Sequence, residues 1–322
     1  MRLIRNRPGP SFVENGQRSV VTIGNFDGMH LGHQALLRQC RELADNDETI
    51  SVVTFDPLPQ AFFRPQAAPA RLTTVYQKLN RLRMEGADLV WLMRFDDSLS
   101  RLSARDFVLQ VLVSGLAASK VVIGADFKFG HQREGDVEML AELGKEFGFS
   151  VHIVPAVFVG DQRVSSTVIR QTLAEGDFDQ AATYLGRPFR MQGHVVLGKQ
   201  LGRTLGYPTA NLRIRARPCP LTGILAVYAR SLDQSAESTD IAQWMPCVSS
   251  IGVRPTVGGT EPLLEVHFFD YEGDLYGHHL EVQFVAKLRD EVNFDSIDEL
   301  VVQMRLDEAI ARDCLTAENL PE

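Results

Sequence analysis

The sequence contains no long apolar run. No uncharged apolar segment approaches the roughly 18–20 residues that span a bilayer, so neither a membrane anchor nor a membrane partner is expected. Paired cysteines are missing as well. Cys40, Cys219, Cys247 and Cys314 lie far apart, with no CxxC and no metal-type spacing, which reads as reduced thiols in a reducing compartment. Nor is there an excess of positive charge: 33 Lys and Arg stand against 41 Asp and Glu, a formal net charge of −8. A general nucleic-acid binder would need a basic stripe to displace counterions, so nucleic acid is not an expected partner. Small polyanions remain open, because a few placed donors hold those inside an acidic protein. The amino terminus, Met1 to Pro8, is basic but no apolar stretch follows it. It is not a secretory signal, and a cytoplasmic location is the expectation. Internal repeats and low-complexity tracts are absent.

What is present suits two domains. A chain of 322 residues is too long for one ordinary core, and 44% apolar with 23% charged residues is normal for a globular protein. The first part alternates β-branched runs (Val20–Gly24, Ile50–Phe55, Leu89–Met93, Val121–Gly124, Val151–Val154) with helical patterns (His33–Ala44, Thr73–Glu85, Ala104–Leu116, Asp136–Phe147). Nearly continuous apolar strands separated by helices predict an α/β domain with a doubly wound parallel sheet, whose ligands sit at the carboxyl ends of the strands. After Gly186-Arg187-Pro188 the helical period gives way to short strands: Met191–Leu197, Ile224–Ser231, Leu263–Phe269 and, past the turn Glu272-Gly273-Asp274, Leu280–Ala286. That spacing predicts an antiparallel barrel or sandwich. A closing helix is predicted over Ser296–Cys314, with Leu300, Val301, Met304, Ile310 and Leu315 on its apolar side. Gln234–Asp240 reads as a loop. The division is therefore placed at 1–186 and 187–322.

The strongest constellation joins the first strand to the first helix: Gly24-Asn25-Phe26-Asp27-Gly28-Met29-His30-Leu31-Gly32-His33. Glycines such as Gly24 and Gly28 let the backbone approach a ligand closely. The helix amino terminus behind them presents unpaired N–H groups and a positive dipole end. Three residues apart, His30 and His33 can point both imidazoles at one triphosphate and donate to charge growing on departing pyrophosphate. A metal site or chance surface histidines would also satisfy the bare HxGH spacing; the preceding strand and the following helix favour the nucleotide. Ser165-Ser166-Thr167, with Arg170 one turn on, opens a helix whose hydroxyls either cap it or donate to phosphate. The segment Gly124 to Gly130, continuing to Asp136, includes Asp126 and Arg133. It is either an acceptor-binding loop or a glycine turn into a capped helix.

In the second half, the stretch Gly193–Gly206, with Gly198, Lys199, Gly202 and Arg203, is either a backbone cradle for phosphates or a glycine-rich hairpin. Further on, alternation puts Leu264, Val266 and Phe268 on one face of a strand and Glu265 and His267 on the other. Glu265 is then a general base toward an alcohol or a solvated strand residue.

These motifs together carry a resemblance. The first half is similar to the HxGH nucleotidyltransferases. From about Ser19 to about Asp307 the chain resembles the bacterial bifunctional riboflavin kinase/FMN adenylyltransferases, through GNFDGMHLGH, DFKFGHQREGD, SSTVIR, GKQLGRTLGYPTAN, SIGVRPTVGG, LEVHFFDYEGDLYG and FVAKLRDEVNFDS. The resemblance implies two reactions with ATP as co-substrate and Mg²⁺: riboflavin to FMN, then FMN to FAD with release of pyrophosphate. It implies a small β-barrel for the kinase module and catalytic roles for His30, His33, Arg170 and Glu265. Implied for ATP are Gly24, Asn25, Phe26, Gly28, Ser165, Ser166, Thr167, Gly198, Lys199, Gly202, Arg203 and Gly206; for flavin, Asp126 and Arg133; for the metal, Thr209 and Asn211. Three positions depart from the family pattern: Leu58 where histidine is frequent, Leu225 where an aromatic is usual, and Ser250 where asparagine is usual. Two other readings compete, a nucleotidyltransferase for a different phosphorylated acceptor and a non-catalytic flavin-binding protein.

Overall fold

The structure, a computed structural model, describes residues 1–5, 12–13, 17–198, 205–214, 218–233, 240–256 and 259–321. They form two compact units, one of Met1–Pro69 with Thr73–Ser166, the other of Ala70–Leu72 with Thr167–Glu322.

In the first unit the chain runs β1 (Arg2–Ile4), β2 (Ser19–Ile23), α1 (Leu31–Leu43), β3 (Thr49–Asp56), α2 (Pro59–Phe63), α3 (Val75–Met84), β4 (Leu89–Arg94), α4 (Asp97–Ser100), α5 (Ala104–Phe107), β5 (Ala118–Gly124), α6 (Val137–Phe147) and β6 (Ser150–Val154). A two-stranded ribbon of β7 (Phe158–Val159) and β8 (Gln162–Arg163) follows. The sheet order is β1-β4-β3-β2-β5-β6, and every pairing is parallel. All five residues of β2 are buried, as expected of a strand covered on both faces. Its alternation feeds two cores. Val21 and Ile23 join Val53, Trp91 and Leu112 on one side, while Val20 joins Val52, Val90, Leu37 and Leu82 on the other. From β2 the chain crosses to β3 on one flank and later places β5 on the other. The turn after β2 thus lies at the topological switch point, where open α/β sheets bind ligands.

The predicted helix over Ala104–Leu116 is present but changes winding: α5 continues as a π-helix from Val108 to Gly115. The wider turns bring Gly115 onto Trp91, where a β-carbon would lie 2.6 Å from the indole. The edge strand β1 was not apparent from its short, half-exposed run.

The second unit carries α7 (Ser166–Glu175) onward from Thr167, then α8 (Phe178–Leu185), β9 (Arg190–Val196), β10 (Ala210–Ile214), β11 (Gly223–Ser231), β12 (Met245–Thr256), β13 (Gly259–Phe268), β14 (His279–Arg289) and α9 (Ile297–Cys314). Its strands close into a barrel in the order β10-β13-β12-β11-β14-β9, antiparallel throughout. Leu264, Val266 and Phe268 are buried, as the alternation requires, and Leu225 is buried among the inward residues. Two barrel strands, β10 and β12, escape a sequence reading because one is short and the other contains Pro246 and Pro255.

The inward stripe of α9 needs a correction. Ile310 is exposed, whereas Asp307 and Ala311 are buried. Asp307 turns inward because Arg289 meets it with two hydrogen bonds, Nε to Oδ1 at 2.9 Å and Nη2 to Oδ2 at 2.6 Å, while Gln303 donates a third at 2.9 Å. Of the loop 234–240, residues 234–239 lie outside the described residues.

Candidate active sites

In the first unit, the turn between β2 and α1 is bound from several sides. Phe26, Gly28 and Met29 have φ of +49°, +85° and +46°, two of them non-glycine residues in the left-handed region, a conformation that persists only where surroundings enforce it. The enforcing contacts are identifiable. Asp27 accepts from the Thr73 amide and hydroxyl, both at 3.1 Å, and Thr73 Oγ1 accepts from Gly28 N at 3.2 Å. Ser166 Oγ donates to the Asp27 carbonyl at 2.9 Å. Lys78, buried on α3, donates to the carbonyls of Asn25 and Phe55 and to Thr54 Oγ1 at 3.1–3.2 Å. Leu58, one of the departures, is a buried residue at the N-cap of α2.

His30 occupies the N-cap of α1, and its side chain makes no cap hydrogen bond. The His30 and His33 rings stack with centroids 3.7 Å apart, and Phe26 packs 5.0 Å from His33. Gly32 lies against the His30 ring, where a β-carbon would come within 3.2 Å. Burial of the ring, then the charges of His30 and Lys78, hold the His33 imidazole well below its ordinary value of 6.5. Its Nδ1 is buried and has no hydrogen-bond partner among the described residues.

The segment after β5 folds as a loop wrapped on Phe129, which stacks with Phe127 at 5.4 Å and bridges to Gly135. Asp136 caps α6 through the Met139 amide at 3.0 Å. Asp126 pairs with Arg163 at 2.6 Å, and Arg133 has φ +62°. A cluster not anticipated from sequence lies at the ends of β3 and β4: Phe55, Phe62 and Phe63 pack edge-on around Phe95 at 5.4–5.8 Å.

In the second unit, Arg170 on α7 donates to the Ala70 carbonyl. Thr167 lies in the first turn of the same helix. Lys199, Gly202 and Arg203 lie outside the described residues. Gly198 is close to Asn211: a β-carbon there would meet the amide Cγ at 2.6 Å. Gly206 adopts φ +84° in the turn before Tyr207.

Two cavities flank this region. One, of about 320 Å³, is lined by Thr209, Asn211, Ser250, Glu265, Arg289 and apolar groups that include Ile224, Leu300 and Met304. The other, of about 480 Å³, is bordered by Thr209, Asn211, Val195 and the turn Glu272-Gly273-Asp274. Thr209 and Asn211 belong to both. Asn211 pairs in register with Glu265 across β10 and β13, and its Nδ2 donates to the Thr209 carbonyl at 3.4 Å. The Tyr207 ring packs tilted against His267, with centroids 5.0 Å apart; its phenol is held above the ordinary value, mainly by burial and then by Glu308.

A parallel α/β unit with a strained histidine turn at its switch point, followed by a closed barrel with a carboxylate in a cavity beside Thr209 and Asn211, defines a two-domain transferase of phosphate-bearing groups. The comparisons give the family. Residues 13–168 match the FAD synthetase model and residues 185–315 the riboflavin kinase model. The chain is 41% identical over 295 residues to the bifunctional riboflavin kinase/FMN adenylyltransferase of Escherichia coli (strain K12), covering 91% of this chain and 92% of that one. It is 45% identical to the protein of that name from Pseudomonas fluorescens over the same shares. A crystal structure described as a macrolide-efflux protein from Streptococcus pneumoniae aligns with TM-score 0.79 at 31% identity, over 97% of this chain and 99% of that one. This chain belongs to the bifunctional riboflavin kinase/FMN adenylyltransferase family. No helix among the described residues is long and apolar enough to cross a membrane.

Proposed function

We propose that the chain phosphorylates riboflavin to FMN with ATP in its second half, 187–322, and adenylylates FMN to FAD in its first half, 1–186. The observation that carries this reading is that each half holds its own cluster of polar side chains of the kind these reactions need. The stacked His30–His33 pair stands at the amino-terminal start of α1. Asn211 pairs in register with Glu265; both border the cavity of about 320 Å³, and Asn211 also borders the one of about 480 Å³.

In the kinase, Glu265 takes the proton of the riboflavin 5′-hydroxyl as that oxygen attacks the γ-phosphorus, and ADP departs. Gly198, Lys199, Gly202, Arg203 and Gly206 are assigned to ATP on the motif GKQLGRTLGYPTAN; riboflavin occupies the cavity that Ile224, Leu300 and Met304 help to line and the phosphates of ATP the neighbouring one. Thr209 and Asn211 offer neutral oxygen donors on the seam between them, a set that fits Mg²⁺, which prefers a few hard oxygens plus substrate phosphates. When bound, Mg²⁺ supplies neutralisation of phosphate charge.

In the adenylyltransferase, an FMN phosphate oxygen attacks the α-phosphorus of ATP and pyrophosphate leaves. His30 and His33 donate to the charge accumulating on it, and the buried Nδ1 of His33 gains a partner when phosphate arrives. Gly24, Asn25, Phe26 and Gly28 bring backbone close to the nucleotide, and Ser165, Ser166, Thr167 and Arg170 are assigned to ATP on the motif SSTVIR. For the flavin, Asp126 and Arg133 are assigned on DFKFGHQREGD, and the Phe62–Phe63–Phe95 cluster offers a stacking surface. Partners are then riboflavin, FMN, FAD and ATP, with neither nucleic acid nor membrane. A cytoplasmic location fits the four free cysteines.

The test is incubation of the purified protein with riboflavin, ATP and Mg²⁺, with FMN and FAD resolved by chromatography over time. FMN should appear first and FAD follow. Accumulation of neither overturns the proposal.

A further inference from the structure

One register row crosses the outer face of the barrel. Asn211 on β10 pairs with Glu265 on β13, Glu265 with Ser250 on β12, Ser250 with Ile224 on β11, and Ile224 with Arg289 on β14. All five border the same cavity of about 320 Å³. Neighbouring strands lie about 4.8 Å apart, so the row is a ruler with one chemical group per step: amide, carboxylate, hydroxyl, aliphatic chain, guanidinium. An elongated ligand lying across the strands meets them in that order.

The substrate has a matching order. If its terminal hydroxyl is held at Glu265, the rest of its polyol chain extends one strand further before the flat apolar ring begins, and the ring then faces Ile224. The group at the intermediate step is Ser250. Direct cross-strand partners bring their β-carbons within about 4.5–5.5 Å, so the Ser250 hydroxyl and the Glu265 carboxylate face the same portion of a bound chain. Its neighbour Ser249 is engaged elsewhere, donating to the Leu225 carbonyl at 3.4 Å. Ser250 Oγ makes no hydrogen bond to any described residue, which leaves it available to a ligand hydroxyl, and a hydroxyl both donates and accepts.

We infer that Ser250 binds a secondary hydroxyl of the ribityl chain and makes the kinase select a polyol-bearing flavin over one with a plain hydroxyalkyl chain. This rests on the reading that Glu265 deprotonates the terminal hydroxyl of riboflavin.

The test uses the full chain and two substrates: riboflavin, and a flavin whose N10 substituent is a hydroxypentyl chain, which keeps the primary alcohol and lacks the secondary ones. Phosphorylation kcat/KM is measured for the wild type, Ser250→Ala and Ser250→Thr, with FMN-to-FAD conversion recorded on each sample. Ser250→Ala should lower kcat/KM for riboflavin about 3- to 10-fold, the effect of one neutral hydrogen bond, and leave the hydroxypentyl flavin unchanged. Ser250→Thr, which keeps a hydroxyl, should retain the preference. If Ser250→Ala does not fold, Ser250→Cys, close in size but a weak hydrogen-bonding group, gives the same readout. An unchanged riboflavin rate, or an equal fall for both substrates, overturns the role of Ser250. A wild type that phosphorylates neither, or a Glu265→Gln variant as active as wild type, overturns the kinase reading and this inference with it.

Discussion

Asn211 and Glu265 stand side by side on adjacent antiparallel strands, and only Asn211 of the two also borders the second cavity. The two cavities share Thr209 and Asn211, so Asn211 stands at their common border with Glu265 beside it. The barrel supplies this geometry through the register of β10 and β13.

Gly198 guards that position. Because a β-carbon at 198 would sit 2.6 Å from Asn211 Cγ, Gly198→Ala should displace the amide. A misplacement near 1 Å costs on the order of 10²-fold in rate. FMN formation should fall by about that factor while conversion of supplied FMN to FAD stays within about twofold. Steady-state rates of both reactions check it, and equal rates in variant and wild type would remove Asn211 from the site.

The Arg289–Asp307 pair should matter for stability. Asp307 is buried and bidentate to Arg289, and removing one partner of a buried pair typically costs about 3–5 kcal/mol. Asp307→Ala should lose stability on that scale in urea unfolding, and Asp307→Leu with Arg289→Met should recover much of it. A loss below about 1 kcal/mol would show the pair to be solvated.

His33 gives a pH dependence with a definite sign. The unfolded chain's imidazole titrates near the ordinary value of 6.5, and the folded one well below it. Above that value neither state carries the proton and the full stability is present. As pH falls below 6.5 the unfolded chain takes up a proton that the folded ring refuses, so stability is lost until the folded value is reached. Between about pH 7 and pH 5.5 the wild type should lose about 1 kcal/mol more than His33→Asn. Parallel curves from urea melts across that range would contradict the burial argument.

Much of this was legible in the sequence, for identifiable reasons. Fully buried parallel strands such as β2 are written as β-branched runs, and Glu265 announces itself as the charge out of phase with Leu264 and Val266. What stayed hidden depends on partners distant in the chain. Asp307 looks like a solvent-side residue of α9 until Arg289 is seen to meet it, and Ile310 then takes the exposed place. Lys78 reaches the Asn25 carbonyl 53 positions away and the Phe55 carbonyl 23 away, with no pattern to reveal it. Ser250 reads only as a departure from a family pattern, because register between β12 and β13 is not contained in spacing along one strand.

The most direct measurement of the central claim, two chemistries carried by two halves of one chain, is a pair of time courses on two variants. Glu265→Gln keeps size and hydrogen bonding but cannot accept a proton, so FMN formation from riboflavin should fall by roughly 10²–10⁴, with FAD formation from supplied FMN intact. His30→Ala with His33→Ala should do the reverse, because loss of a single positioned donor already costs on the order of 10²–10³. Chromatographic yields of FMN and FAD, taken with a thermal melt of each variant, decide between the outcomes. Opposite, selective defects in folded proteins are the predicted result; loss of both activities in either folded variant, or of neither, would contradict the account.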